Sequence, residues 1–202
     1  IRVEADELTY PLHVILRYNI EKDVISGSLS VKDIATRWNA DMKALLDVDV
    51  TSDDLGVLQD VHWSGLAFGY FPTYLLGAIA ASQLFHYCQQ DIPDIEAKIE
   101  SGDFQPIKDW LKDKVHKHGR RYASLDSMLE DQLGEPLNPK YFIDYLTKTA
   151  VPVGKVISIT GQRTLLAFIL EVGQLKLFGE NTPHVIGVGI GFMAAAFPLA
   201  SS

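Results

Sequence analysis

The stretch GVLQDVHWSGLAFGYFPTY, Gly56–Tyr74, brings Gln59, Asp60, His62, Trp63, Tyr70 and Tyr74 close together just ahead of Pro72. Proline suits the first turn of a helix, so an apolar helix is predicted from there toward Gln90. The polar cluster before it has two readings. It can aim hydrogen-bond donors, a neutral imidazole and phenols, at a carbonyl oxygen that gains charge in a transition state. It can equally cap helices and fill an amphipathic boundary, as aromatic residues commonly do.

On either side of this stretch the punctuation is helical. Ala5, Leu8, Leu12, Ile15 and Leu16 share one helical face, with Pro11 marking a kink or an effective start and Arg2 placed for an i,i+4 pair with Asp6. Ser30 stands where a cap is wanted for a helix carrying Ile34, Trp38, Met42 and Leu45, and Asp33 sits where a capping-box acid would. Pro93 and Gly102 bracket a short helix, Pro106 and Gly119 another, and Ser124 and Asn138-Pro139 start two more. Residues 1–147 therefore read as all-α. From about Ala150 the pattern changes: 153–160 alternates loosely like a strand, 164–178 suits a helix or a buried strand, and 185–200 is an uncharged run rich in Gly and Ala. That run is shorter than the roughly 20 residues a membrane span needs, so a membrane partner is not expected.

The 202 residues suffice for one sizeable core, and 47% apolar with 22% charged residues is ordinary for a globular chain. A net charge of −8 offers no diffuse basic surface, which argues against nucleic acid as a partner. The charge is uneven: 148–202 holds four basic and two acidic residues, leaving −10 for 1–147. Cys88 is the only cysteine, so no internal disulfide and no multi-cysteine zinc site can form; this fits a reducing compartment and equally any compartment in which disulfides are not needed, and the location expected is cytoplasmic. With Ile1 in place of an initiator methionine, and Ile1–Glu7 reading straight into a helical pattern, the chain is expected to begin within a longer protein.

Several chemistries are missing from the sequence. A zinc hydrolase of the His-Glu-x-x-His type needs two imidazoles four residues apart on one helical face, and no two of His13, His62, His86, His116, His118 and His184 have that spacing. His116 and His118 read as solvated histidines in a last helical turn. There is no Gly-x-Ser-x-Gly elbow, Cys88 reads as a buried structural thiol, and 187–191 lacks the spacing and lysine of a phosphate-binding loop.

Four segments carry a family resemblance: IRVEADELTYPLHVILRYNIE (1–21), GVLQDVHWSGLAFGYFPTYLLG (56–77), VHKHGRRY (115–122) and GEPLNPKYFIDYL (134–146). Together they closely resemble the C-terminal part of the carboxypeptidase Taq family of zinc metallocarboxypeptidases. Two signatures stand out: Ile1-Arg2-Val3, of the Ile-Arg-Thr type, with Val3 the departure, and Gly56-x-x-Gln59-Asp60-x-His62-Trp63. The resemblance covers nearly all of 1–147 and leaves 148–202 as an unrelated apolar tail.

The resemblance implies a mainly α, cleft-containing fold similar to that of the neurolysin and angiotensin-converting peptidases, removing single residues from peptide C-termini with a zinc-activated water. It implies that Arg2 binds the terminal carboxylate, for which a guanidinium fork is the natural partner, the alternative being a purely structural ion pair with a neighbouring acid. By analogy with related helical peptidases, His62 stabilises the oxyanion or orients substrate, and Tyr70 or Tyr74 donates to the same oxygen. Asp60 is expected to orient a neighbouring histidine or backbone group, while Gln59 and Trp63 shape the cleft. The family's zinc ligands lie upstream of the arginine motif, so none is expected in this chain, and the chain by itself is expected to be inactive. The alternatives are a non-catalytic binding or dimerisation partner, possible as a homodimer, and, more remotely, a protein anchored through 185–200.

Overall fold

The computed structural model describes residues 2–149. The expectations for 153–160, 164–178 and 185–200, and for His184, lie outside the described residues. Among those residues seven α-helices and short 3-10 turns follow one another without a strand.

Most helix starts and stops fall where the punctuation predicts. Helix α1 (Tyr10–Ile25) has Pro11 in its first turn, and Asp6 Oδ1 accepts the Leu8 and Thr9 N–H groups at 3.0 Å each just ahead of it. A 3-10 turn (Val31–Asp33) leads into α2 (Ile34–Leu46). Ser30 stands at the start of that turn but makes no side-chain cap bond, so the predicted capping box is not formed. The tighter turn satisfies the Asp33 N–H with the Ser30 carbonyl at 2.9 Å instead.

Pro72 lies in the first turn of α3 (Phe71–Asp91), and α4 (Ile95–Glu100) is followed by Gly102 with a left-handed φ of 76°. Helix α5 (Gln105–Lys114) opens with Pro106, and His116 and His118 occupy a separate 3-10 turn beyond it. Ser124 caps α6 (Leu125–Leu133) reciprocally with Ser127, each side chain accepting the other residue's N–H at 3.1 Å. Helix α7 (Lys140–Thr149) begins where Asn138 Oδ1 accepts the Lys140 N–H at 3.0 Å.

The described chain divides into two compact units: residues up to Leu75 together with those from Tyr145, and Leu76–Asp144. In the second unit Leu84 and Cys88 of α3, Trp110 and Leu111 of α5, and Met128 and Leu129 of α6 close one apolar cluster. Burial pushes the Cys88 thiol up to about 11, so it stays protonated and inert, as a structural cysteine does. Gln83 is fully buried yet satisfied: its Nε2 donates to the Pro136 carbonyl at 2.9 Å, and its Oε1 accepts the Asn138 N–H at 2.8 Å.

In the first unit Leu16 and Ile20 of α1 pack on Trp38, Met42 and Leu45 of α2. Here α1 departs from the single apolar face predicted for it. Every residue from Pro11 to Arg17 is buried, and so is Glu21. The polar side of the helix is covered by the segment that precedes α3. Among the described residues no helix is long and apolar enough to cross a membrane.

Two measurements follow from this packing. Leu129→Ala removes a fully buried side chain and is expected to lower stability by about 2–5 kcal/mol in urea denaturation. Burial, followed by the nearby Arg17 charge, pushes the His13 imidazole down from 6.5 to about 4. Between those values the unfolded chain binds the extra proton. The stability of the neutral ring is therefore complete above about pH 6.5 and lost as pH falls to about 4, by roughly 3 kcal/mol. His13→Gln should flatten the stability profile across that window.

Candidate functional site

Helix α1 positions the segment 56–70 through two charged residues one turn apart. Arg17 donates to Asp60 Oδ2 from Nε at 2.6 Å, with its Nη2 in ion-pair contact with the same oxygen at 2.6 Å, and from Nη1 to the His13 carbonyl at 2.7 Å. Its guanidinium lies over the Trp38 ring at 4.4 Å and the Phe71 ring at 5.4 Å. Glu21 accepts the Trp63 indole N–H at 2.8 Å and the Gly69 N–H at 3.1 Å. Gly69 has a φ of 77°, a left-handed conformation that turns its N–H to Glu21 without the steric cost of a side chain.

Between these anchors the chain makes a tight loop. Gly65 N–H donates to the Val61 carbonyl at 3.0 Å and Ala67 N–H to the His62 carbonyl at 2.8 Å. A Cβ on Gly65 would stand 3.2 Å from the Val61 oxygen, so the loop closes against backbone. The loop sets His62 among aromatic rings, 4.3 Å from Phe71 and 5.8 Å from both Tyr70 and Tyr74, centroid to centroid.

Asp60 accepts on both oxygens. Arg2 donates to Oδ1 from Nε at 2.9 Å and Nη2 at 2.7 Å, and from Nη1 to the Tyr10 hydroxyl at 3.4 Å. Burial opposes the charge of all three groups. On Asp60 the two guanidiniums outweigh it and hold the carboxyl below its ordinary value, on Arg2 the Asp60 contact outweighs it, and on Arg17 burial prevails and lowers the pKa. The stability Asp60 contributes is thus present above the ordinary carboxylate range and lost only as pH falls through the lowered value.

His62 Nε2 lies 3.0 Å from the Tyr74 hydroxyl. Its Nδ1 is buried, has no hydrogen-bond partner among the described residues and stands 3.8 Å from Asp60 Oδ1. Burial lowers the His62 pKa, which favours a neutral ring, and the direction of the Nε2–Tyr74 hydrogen bond follows the tautomer of that ring.

The structure thus gathers Arg2, Asp60, His62, Tyr70 and Tyr74 into one cluster. Asp60 meets two arginines directly instead of hydrogen-bonding His62. Trp63 stands behind the cluster, edge-on to Trp38 at 6.1 Å and to Phe71 at 6.0 Å. Gln59 Nε2 donates to the Asp54 carbonyl. Arg17 and Glu21, which hold the cluster in place, escape a sequence reading. Their one available signal is a pair of opposite charges four apart on an apolar helix, and this usually means a surface pair. Among the described residues no group of three or more His, Cys, Asp or Glu is arranged to hold a metal ion. The donor set here is cationic and protonic, and does not fit a metal.

Residues 1–150 match the carboxypeptidase Taq (M32) metallopeptidase family. The chain belongs to that family. Carboxypeptidase 1 of Bacillus subtilis is 51% identical over 147 residues, 73% of this chain and 29% of the relative. Thermostable carboxypeptidase 1 of Pyrococcus furiosus is 38% identical over 146 residues, 72% and 29%. Among solved structures, Trypanosoma cruzi metallocarboxypeptidase 1 superposes with a TM-score of 0.70 at 40% identity, covering 73% of this chain and 31% of that one. The M32 chain described here therefore spans under a third of the length of these relatives. Its mainly helical architecture is that of the family, as the motifs at Ile1-Arg2-Val3 and Gly56–Trp63 imply.

Glu21 joins the loop before α3 to α1. Glu21→Ala leaves two donors without their acceptor, and is expected to cost about 2–3 kcal/mol and to speed amide exchange at Gly69, measured by urea denaturation and NMR hydrogen exchange.

Proposed function

We propose that this chain supplies the substrate-recognition wall of a zinc metallocarboxypeptidase that removes single residues from peptide C-termini. The observation that carries it is the Arg2 guanidinium, held by Asp60, over the Tyr74 ring and beside the His62 that faces the same acid, within the stretch that matches the M32 family. Arg2 pairs with the terminal carboxylate of the peptide. His62 and Tyr74, with Tyr70 beside them, direct donor hydrogens at the carbonyl oxygen of the bond to be cleaved. Trp63 and Gln59 shape the loop around them.

The family's metal is zinc in this reading, and the described residues include no group to hold it. No His-Glu-x-x-His occurs anywhere in the 202 residues. The chain by itself accordingly binds peptide termini without cleaving them. Its single, buried cysteine accords with a cytoplasmic setting.

The test uses the purified 202-residue chain with N-acetyl dipeptides carrying a free C-terminal carboxylate or a C-terminal amide. The acid should bind at least about tenfold more tightly than the amide, and Arg2→Met should abolish the difference. Equal binding of acid and amide overturns the carboxylate role. Release of C-terminal residues that a chelator abolishes overturns the inactivity of the chain alone. Co-purification with a full-length homologue would instead assign it the part of a non-catalytic partner.

A further inference from the structure

Arg17 lies outside the recognition wall proposed above, yet it controls the charge that the wall presents. Exposure is graded across the three ionic groups: 1% for the Arg17 side chain, 7% for Asp60 and 13% for Arg2. Arg17 is enclosed by Trp38, Phe71 and the His13 carbonyl and cannot meet a ligand. Both Asp60 oxygens are engaged, Oδ2 by Arg17 and Oδ1 by Arg2. A guanidinium has five N–H groups, and Arg2 uses three of them among the described residues. One N–H therefore remains on each of its terminal nitrogens. Glu21, the nearest acid on the same helix face, is engaged by Trp63 and Gly69.

We propose that Arg17 is a positioning residue for anion recognition. By holding one oxygen of Asp60 it leaves the trio of Arg2, Asp60 and Arg17 with a single uncompensated positive charge, presented through Arg2. Without Arg17, Arg2 and Asp60 would form a closed neutral pair. The second carboxylate oxygen, freed of its partner, would repel an incoming carboxylate. With Arg17 in place Asp60 orients Arg2 without neutralising it. Such an arrangement suits a singly charged carboxylate, because Arg2 can release part of its hold on Asp60 while Arg17 keeps that acid compensated.

The inference rests on the carboxylate-binding reading, and the test separates the two. The acid and amide dipeptides are titrated against the full chain and its Arg17→Met, Arg17→Lys, Asp60→Asn and Arg17→Met/Asp60→Asn variants, each checked for a cooperative thermal melt. Arg17→Met should weaken acid binding about tenfold and leave amide binding unchanged. Arg17→Lys, which keeps the charge, should retain most of the affinity. The double variant, whose remaining Arg2 restores one net positive charge, should recover the preference for the acid. Retention of that preference by Arg17→Met, or its loss in a folded double variant, overturns the proposal. Removing one partner of a buried pair is strongly destabilising, so Arg17→Met is the variant most exposed to unfolding, and the double variant then decides the question.

If the unmodified chain does not distinguish acid from amide, the carboxylate-binding reading fails. The His62 ring, which faces Asp60, Arg2, Tyr70 and Tyr74, then reports on Arg17 by NMR titration. Its pKa should fall in Asp60→Asn, rise in Arg17→Met and return toward the parent value in the double variant. A ring that titrates identically in all of them overturns the charge coupling.

Discussion

The first unit depends on one buried ion pair, Arg17 with Asp60 at 2.6 Å. A pair so enclosed gains little net stability, because withdrawing both charges from water offsets most of their attraction. Its value lies in what it fixes. Asp60 is in the segment before α3 and Arg17 is on α1, 43 residues earlier, so the pair ties two parts of the chain into one geometry. The second tie, Glu21 to Trp63 and Gly69, prevents rotation about the first. With the loop held at residues 60, 63 and 69, the backbone of His62 is confined between them, and its ring is set by Tyr74 and Phe71.

That constraint explains the aromatic content of the segment. Trp38 and Phe71 present ring faces to the Arg17 guanidinium, which replaces part of the hydration it loses. Trp63 then contacts both rings edge-on. Within the segment Trp63 and Phe71 pack edge to face, and His62 with Tyr74 forms the polar edge of the same cluster.

Helix existence was legible in the sequence because prolines, glycines and small polar residues act locally. Pro11, Pro72 and Pro106 all fall in first turns, and Ser124 caps its helix. The Ser30 box failed because a 3-10 turn offered its backbone a nearer acceptor. For α1 the apolar face was legible, but the burial of its polar face was not. Periodicity records which residues avoid water, and cannot reveal that a distant loop will supply partners for an arginine and a glutamate. The proposed site residues Arg2, Asp60, His62, Tyr70 and Tyr74 were suggested by the family resemblance, and the structure places them side by side, whereas the geometry that makes Arg2 share Asp60 with Arg17 depends on tertiary contacts.

The chemistry of the cluster also sets which kind of charge it can attract. Asp60, 3.8 Å from His62, and Glu21 both hold the loop, and each accepts N–H donors on both of its oxygens. A carboxylate so engaged has little electron density left for a cation, and the two guanidiniums oppose the approach of one. The same features attract an anion. The charge of the cluster therefore agrees with the proposed recognition of a carboxylate and opposes the holding of a cation by these same residues.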